Sequence, residues 1–151
     1  MKIVFASNNP DKVKEVKEIL GPLGIVVFSL KDLGIKIEIE EDQSTFEGNA
    51  RKKARTVFEL TGLPTIADDS GLMVDALNGA PGVYSSRYAG EEHNYEKNNQ
   101  KLLKELKDKP KPYRAKFVCV INFKTNREDE IFIGEVSGEI IDEPRGTNGF
   151  G

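Results

Sequence analysis

The run Ile66-Ala67-Asp68-Asp69-Ser70-Gly71-Leu72 places two adjacent carboxylates and a Ser-Gly pair where an apolar strand is expected to stop. Carboxylates at such a place suit oxygen ligation of a hard cation, or acceptance of a proton from an attacking water. Neighbouring side chains of an extended segment point to opposite faces, so Asp68 and Asp69 share one site only if the chain turns between them. One is therefore expected to be catalytic and the other structural. The same residues also fit an Asx turn, in which either carboxylate bonds the amides of Ser70 and Gly71.

A second candidate is Ser7-Asn8-Asn9-Pro10-Asp11-Lys12, between the apolar run Ile3-Val4-Phe5-Ala6 and a helical stripe of Val13, Val16, Ile19 and Leu20. Asn9 is a good N-cap, Pro10 suits the first helical position, and Gly21-Pro22 stops the helix. The amides of that first turn, the helix dipole and Lys12 suit a phosphate group. The loop lacks the glycines of a Walker A or dinucleotide fingerprint, and a well-capped helix explains it equally well.

The third is a lysine. Ser44-Thr45-Phe46-Glu47 reads as a capping box, followed by a stripe of Phe46, Ala50, Ala54 and Val57 at helical spacing. At about 100° per residue, Lys53 falls on that apolar stripe with Asn49 at its flank, whereas Arg51, Lys52 and Arg55 lie on the far side. An inward ammonium needs an anion, and a carboxylate of Asp68 or Asp69, or a phosphate, would serve. Upstream, Ile35-Lys36-Ile37-Glu38-Ile39-Glu40 alternates like a strand with one buried face. Its acidic end, Glu38 to Asp42, reads as solvated, or as the source of one metal ligand.

Other reactive types are sparse. His93, the only histidine, lies in a polar stretch before a helix, so a His-based triad is not expected, and a multi-histidine metal centre within this chain is excluded. Cys119, also alone, lies in an apolar run and reads as a small buried residue, and it excludes an internal disulfide. Ser85-Ser86-Arg87 could meet a phosphate or simply bond backbone.

The elements that must position these residues read in order as strand, helix, strand, alternating strand and helix, then the Asp-Asp strand. A Gly-Pro-rich loop, a helix over 94–107 burying Leu102, Leu103 and Leu106, and a hairpin of 115–123 with 130–136 turning near Thr125-Asn126 follow. The 151 residues, 38% hydrophobic and 31% charged, predict one domain of an ordinary soluble globular type. A net charge of −3 gives no case for nucleic acid or a membrane surface. Nothing near Met1 resembles a signal peptide and no apolar stretch approaches about 18 residues, so a cytoplasmic location is expected.

Five ordered segments, spread over the whole chain, resemble the inosine/xanthosine triphosphate pyrophosphatase family, which hydrolyses non-canonical purine nucleoside triphosphates. They are Ser7 to Lys12, Thr45 to Ala50 with Lys53, Ala67 to Leu72, Gly79 to Arg87, and Gly146-Thr147-Asn148-Gly149-Phe150-Gly151. The resemblance implies a mixed α/β fold, a single domain over 1–151: an elongated central mixed sheet with flanking helices, and two lobes around a cleft. It also implies a homodimer and Mg²⁺-dependent cleavage of dITP, ITP or XTP to monophosphate and pyrophosphate.

Carried over by residue, Ser7, Asn8, Asn9, Pro10, Asp11 and Lys12 would hold the triphosphate, and Ser70, Phe150 and Gly151 would also touch substrate. Glu40 and Asp69 would bind Mg²⁺, Asp69 would also be general base, and Lys53 would assist at the phosphates. Attack on the α-phosphorus builds negative charge that a cation and Lys53 offset.

Family members continue past the glycine-rich segment with Tyr-Asp-Pro, then a lysine and a Ser-His-Arg motif expected around the base. The chain is therefore expected to lack a C-terminal portion, and one alternative is an inactive fragment that only binds nucleotide and metal. Another is the related septum-inhibitor type of nucleotide pyrophosphatase, over which the Asn-Pro-Asp-Lys loop and the Asp-Asp-Ser-Gly run favour the first family.

Overall fold

Apolar residues alternate around a short first strand, β1 (Lys2–Phe5), so that both of its faces are buried. A computed structural model describes residues 1–147 of the chain. The elements after β1 are α1 (Pro10–Leu20), β2 (Val26–Ser29), α2 (Phe46–Thr61), β3 (Thr65–Val74), α3 (Tyr95–Leu106), β4 (Tyr113–Lys124) and β5 (Asp129–Ile140). The five strands hydrogen-bond in the order β2-β1-β3-β4-β5. β1 runs parallel to both β2 and β3, with Ile3 opposite Val27 and Phe5 opposite Ile66. Only four residues link β4 to β5, too few for a crossover, so these adjacent strands are antiparallel and the sheet is mixed. The mixed sheet with flanking helices agrees with the α/β expectation.

The chain divides into two compact units, Met1–Asp69 with Val120–Phe132, and Ser70–Cys119 with the chain from Ile133. In the first, strand alternation sorts the core. Val4, Ala6 and Ala67 pack with Leu30 and with Ala54 and Val57 of α2. Ile3, Phe5 and Val27 pack with Ile66 and with Val13, Val16 and Leu20 of α1. Each fully buried Val or Leu contributes roughly 1.5–3 kcal/mol relative to exposure, so the two apolar stripes fix which side of each helix faces the sheet. In the second unit, Leu102 and Leu106 of α3 pack with Val74, Tyr113 and Ala115. Leu103 is only half-buried.

Four local expectations are corrected. Residues 35–40 form no strand: Ile35, Ile37 and Ile39 pack on the α2 core and Lys36, Glu38 and Glu40 face outward. The alternation was real, because an extended chain with one buried face needs it whether or not it joins a ladder. The cap of α2 is Thr45, whose side chain accepts from the Gly48 amide, so Ser44 and Glu47 make no capping box. Cys119 is half-buried rather than buried. Finally, β3 does not stop at the carboxylates but runs through them to Val74.

Candidate active site

The first unit gathers most of the singled-out residues where β1 gives way to its loop. β1 receives β3 through Val4 N–H to Pro64 and Ala6 N–H to Ile66, both at 2.8 Å, so the chain at Ser7 leaves the sheet beside the segment that becomes Asp68 and Asp69. The carboxyl ends of parallel strands are where α/β sheets place ligands.

The loop is tightly wired. Asn9 caps α1, its Oδ1 accepting the amides of Asp11 at 3.0 Å and Lys12 at 3.2 Å, while its own N–H donates to Ser7 Oγ at 3.1 Å. Two of the first-turn amides expected to cradle a phosphate are thus taken by the cap. Asn8 gives its Nδ2 to the carbonyl of Ile37 at 2.9 Å, and an open groove of about 490 Å³ beside it is lined by Lys31, Lys36, Ile35 and Ile37 among others. Pro10 and Asp11 are exposed.

Because β3 is extended through the pair, its carboxylates follow different partners, as alternation requires. Asp68 shares the parity of Ile66 and meets Lys12 of α1, Nζ to Oδ2 at 2.6 Å. Burial alone would lower the Lys12 ammonium, but Asp68, with Asp69 and Glu41 further off, raises it above its ordinary value. Asp69 shares the parity of Ala67 and meets α2, its Oδ2 accepting from Asn49 Nδ2 at 2.9 Å. The Asx-turn alternative is excluded by this strand geometry.

Asp69 is only 4% exposed, and burial pushes its carboxyl up from 3.8 to about 6. Asn49's hydrogen bond and the Lys53 charge work against that rise, whereas the charges of Glu41 and Asp68 add to it.

Lys53 is inward, as its place on the stripe demanded, but its partner is neither Asp68 nor Asp69. Its Nζ lies 2.9 Å from Oε1 of Glu41, while Glu40 is exposed. The acidic run can reach back over α2 because Gly48 has no side chain: a Cβ there would lie 2.9 Å from Gln43 Cβ. The Gln43 amide then donates to Asn49 Oδ1 at 2.9 Å.

Asn49 is the residue sequence reasoning undervalued. It is fully buried and spends both ends of its amide, one on Gln43 and one on Asp69. A polar residue at the margin of an apolar stripe, four residues before the inward Lys53, was the available signal. Ser70, next along β3, is half-buried in the second unit. There Ser85 Oγ bonds only backbone among the contacts resolved for it, and Arg87 stacks its guanidinium 5.2 Å from the Tyr84 ring centre. Phe150 and Gly151 lie outside the described residues.

Among the described residues no group of three or more His, Cys, Asp or Glu side chains could hold a metal ion unaided. Two lysines, Lys12 and Lys53, and two carboxylates, Asp68 and Glu41, instead interleave around a buried, proton-avid Asp69, an arrangement able to deprotonate water and to receive a polyanion.

The comparisons with known proteins point one way. A family model described as Ham1 family matches residues 3–151. A Bacillus licheniformis protein named dITP/XTP pyrophosphatase is 51% identical over 152 residues, covering 99% of this chain and 78% of its own. One of the same name from Geobacter sulfurreducens is 49% identical over 152 residues, covering 99% and 76%. The solved structure of a HAM1 protein from Coxiella burnetii superposes with a TM-score of 0.89 at 44% identity, over all of this chain and 78% of that one.

Proposed function

The chain belongs to the Ham1 family, and we propose from that premise that it hydrolyses dITP, ITP and XTP to monophosphate and pyrophosphate. The observation that carries the reading is Asp69, a buried carboxylate raised to about 6, hydrogen-bonded by Asn49 and within the field of Lys53 and Glu41. A carboxylate whose proton affinity is moved towards neutrality is a stronger base than an exposed one.

In the proposed reaction Asp69 takes the proton of a water attacking the α-phosphorus, and pyrophosphate leaves. The Lys53 ammonium turns from Glu41 to the phosphate oxygens as their charge grows, and Lys12 with Ser7, Asn8, Asn9, Pro10 and Asp11 holds the triphosphate. Ser70, Phe150 and Gly151 enter the proposal as substrate contacts on the family resemblance.

A divalent cation fits the donor chemistry. Glu41 and Asp68 already crowd Asp69 with negative charge, and Mg²⁺ commonly takes one or two carboxylates with the rest of its shell from water and substrate phosphates. Asp69 would hold it with a carboxylate of the Glu40-Glu41 pair. When bound, the ion supplies charge neutralisation at the phosphates and a more acidic water.

The test is pyrophosphate release from deoxyinosine triphosphate against deoxyguanosine and deoxyadenosine triphosphates, with and without Mg²⁺. Mg²⁺-dependent release from the inosine substrate is expected, and no release from a folded chain would sink the reading. The proposal includes a homodimer in the cytoplasm, the first part of which sedimentation analysis tests. Among the described residues no helix is long and apolar enough to cross a membrane.

A further inference from the structure

The side of α2 turned away from Asn49 and Lys53 carries a polar cluster that the proposed reaction does not use. Arg51 Nη1 donates to Oδ1 of Asp129 at 2.5 Å and to the Asp129 carbonyl at 3.2 Å. One turn later, Arg55 donates Nε and Nη2 to Oδ2 of the same carboxylate at 3.0 and 2.8 Å. Asn122, fully buried, gives Nδ2 to Asp129 Oδ1 at 2.8 Å and to the Glu130 carbonyl at 3.0 Å. Lys124 sits 5.4 Å from the ring centre of Phe58, so the contact strip on α2 runs i, i+4, i+7 from Arg51.

Each of these ion pairs is partly exposed, and singly such pairs contribute little. Their arrangement matters more. One carboxylate is gripped by guanidinium groups from two successive turns, Arg55 through two nitrogens and Arg51 through one, and by a buried amide from the hairpin, which fixes the helix against both rotation and sliding. Burial would raise the Asp129 carboxyl, but Asn122, Arg55 and Arg51 hold it below its ordinary value, so the grip persists at neutral pH.

Arg51 lies between Asn49 and Lys53 in the chain, so whatever sets the helix at Arg51 also sets those two side chains. An ångström of misplacement at a catalytic group can cost about a hundredfold in rate. We propose that Asp129 is a positioning residue for the reaction: by clamping Arg51 and Arg55 on one side of α2, it holds Asn49 at Asp69 and Lys53 at Glu41 on the other. This rests on the hydrolase reading above.

The test is Asp129→Asn and Asp129→Glu in the full chain, assayed well below the melting temperature with deoxyinosine triphosphate and Mg²⁺, alongside amide hydrogen exchange of α2. Asp129→Asn is expected to lower kcat about tenfold with KM within about twofold, and to speed exchange at 50–57 about tenfold. Asp129→Glu, which keeps both oxygens, should recover kcat to within about threefold. Adding Arg51→Ala and Arg55→Ala to Asp129→Asn should cost little more, because all three act through one clamp. Unchanged kcat in a folded Asp129→Asn, or unchanged exchange, overturns the proposal. A parent chain without turnover overturns the hydrolase reading instead, and exchange then still decides whether the clamp sets the helix.

Discussion

Asn49 donates its side-chain amide to Asp69 across 2.9 Å while its carbonyl accepts the Gln43 amide, tying the acidic segment, α2 and β3 together through one buried side chain. The bond holds the carboxylate's orientation and opposes the rise in its proton affinity.

Asn49→Leu removes both bonds with a side chain of the same branching and is expected to lower kcat at least tenfold. It should also destabilise the chain by about 2–3 kcal/mol, since a buried amide and carboxylate oxygen lose partners. Asn49→Asp sets a carboxylate against Asp69 and should be worse in both respects. Steady-state kinetics and urea unfolding check this; near-parent kcat in either variant would remove Asn49 from the site.

Folding raises the Asp69 carboxyl from 3.8 to about 6, so the folded chain binds that proton more tightly than the unfolded one. Stability from this group is therefore full below about 3.8 and is lost as pH climbs through about 6. Asp69→Asn should abolish turnover yet melt several degrees above the parent at pH 8, with the gap closing as pH falls towards 4. Scanning calorimetry at several pH values reads it, and equal melting at pH 8 contradicts the burial account.

Lys12→Met leaves the Asp68 carboxylate buried without its 2.6 Å partner, a change expected to cost on the order of 3 kcal/mol. Adding Asp68→Asn should recover most of that stability. The double variant should still bind nucleotide at least tenfold more weakly, because the ammonium proposed to hold the triphosphate is gone. Full recovery of affinity would confine Lys12 to a structural ion pair.

Glu41 and Glu40 are separable. Glu41→Gln removes the anion opposite Lys53 and is expected to shift the Mg²⁺ dependence and lower kcat about tenfold or more. Glu40→Gln, at an exposed position, should shift it less. The reverse ranking in a magnesium titration would restore Glu40 as the ligand implied by the family resemblance.

Thr45→Ala should cost about 1 kcal/mol by removing the cap on the Gly48 amide, and Ser44→Ala a few tenths at most. Thermal melts of the two single variants distinguish the caps.

Helical faces were legible in the main: the inward Lys53, the Asn9 cap, the α2 stripe and three of the four α1 positions, Val13, Val16 and Leu20, follow from spacing, whereas Ile19 is exposed. The hairpin and the helix read over 94–107, found as α3 with Asn94 as its cap, were legible for similar local reasons. Partners were not. Which anion meets Lys53 depends on how a chain segment with no regular structure folds back over α2, and that turns on the bare Cβ position of Gly48 rather than on any periodic signal. Residues 35–40 misled because alternation records a buried face, not a ladder partner. The Asp129 clamp left no trace either, since its members lie 78 and 74 residues apart in the chain.

The uninterrupted extension of β3 through Asp68 and Asp69 sets a rule for length change. Gaining or losing one residue between Thr65 and Asp69 would exchange the two carboxylates, sending one acid to α2's amide and the other to α1's ammonium in the wrong order. Length can therefore change at the turn before Thr65 without disturbing the pair, but between Thr65 and Asp69 the residue number is fixed.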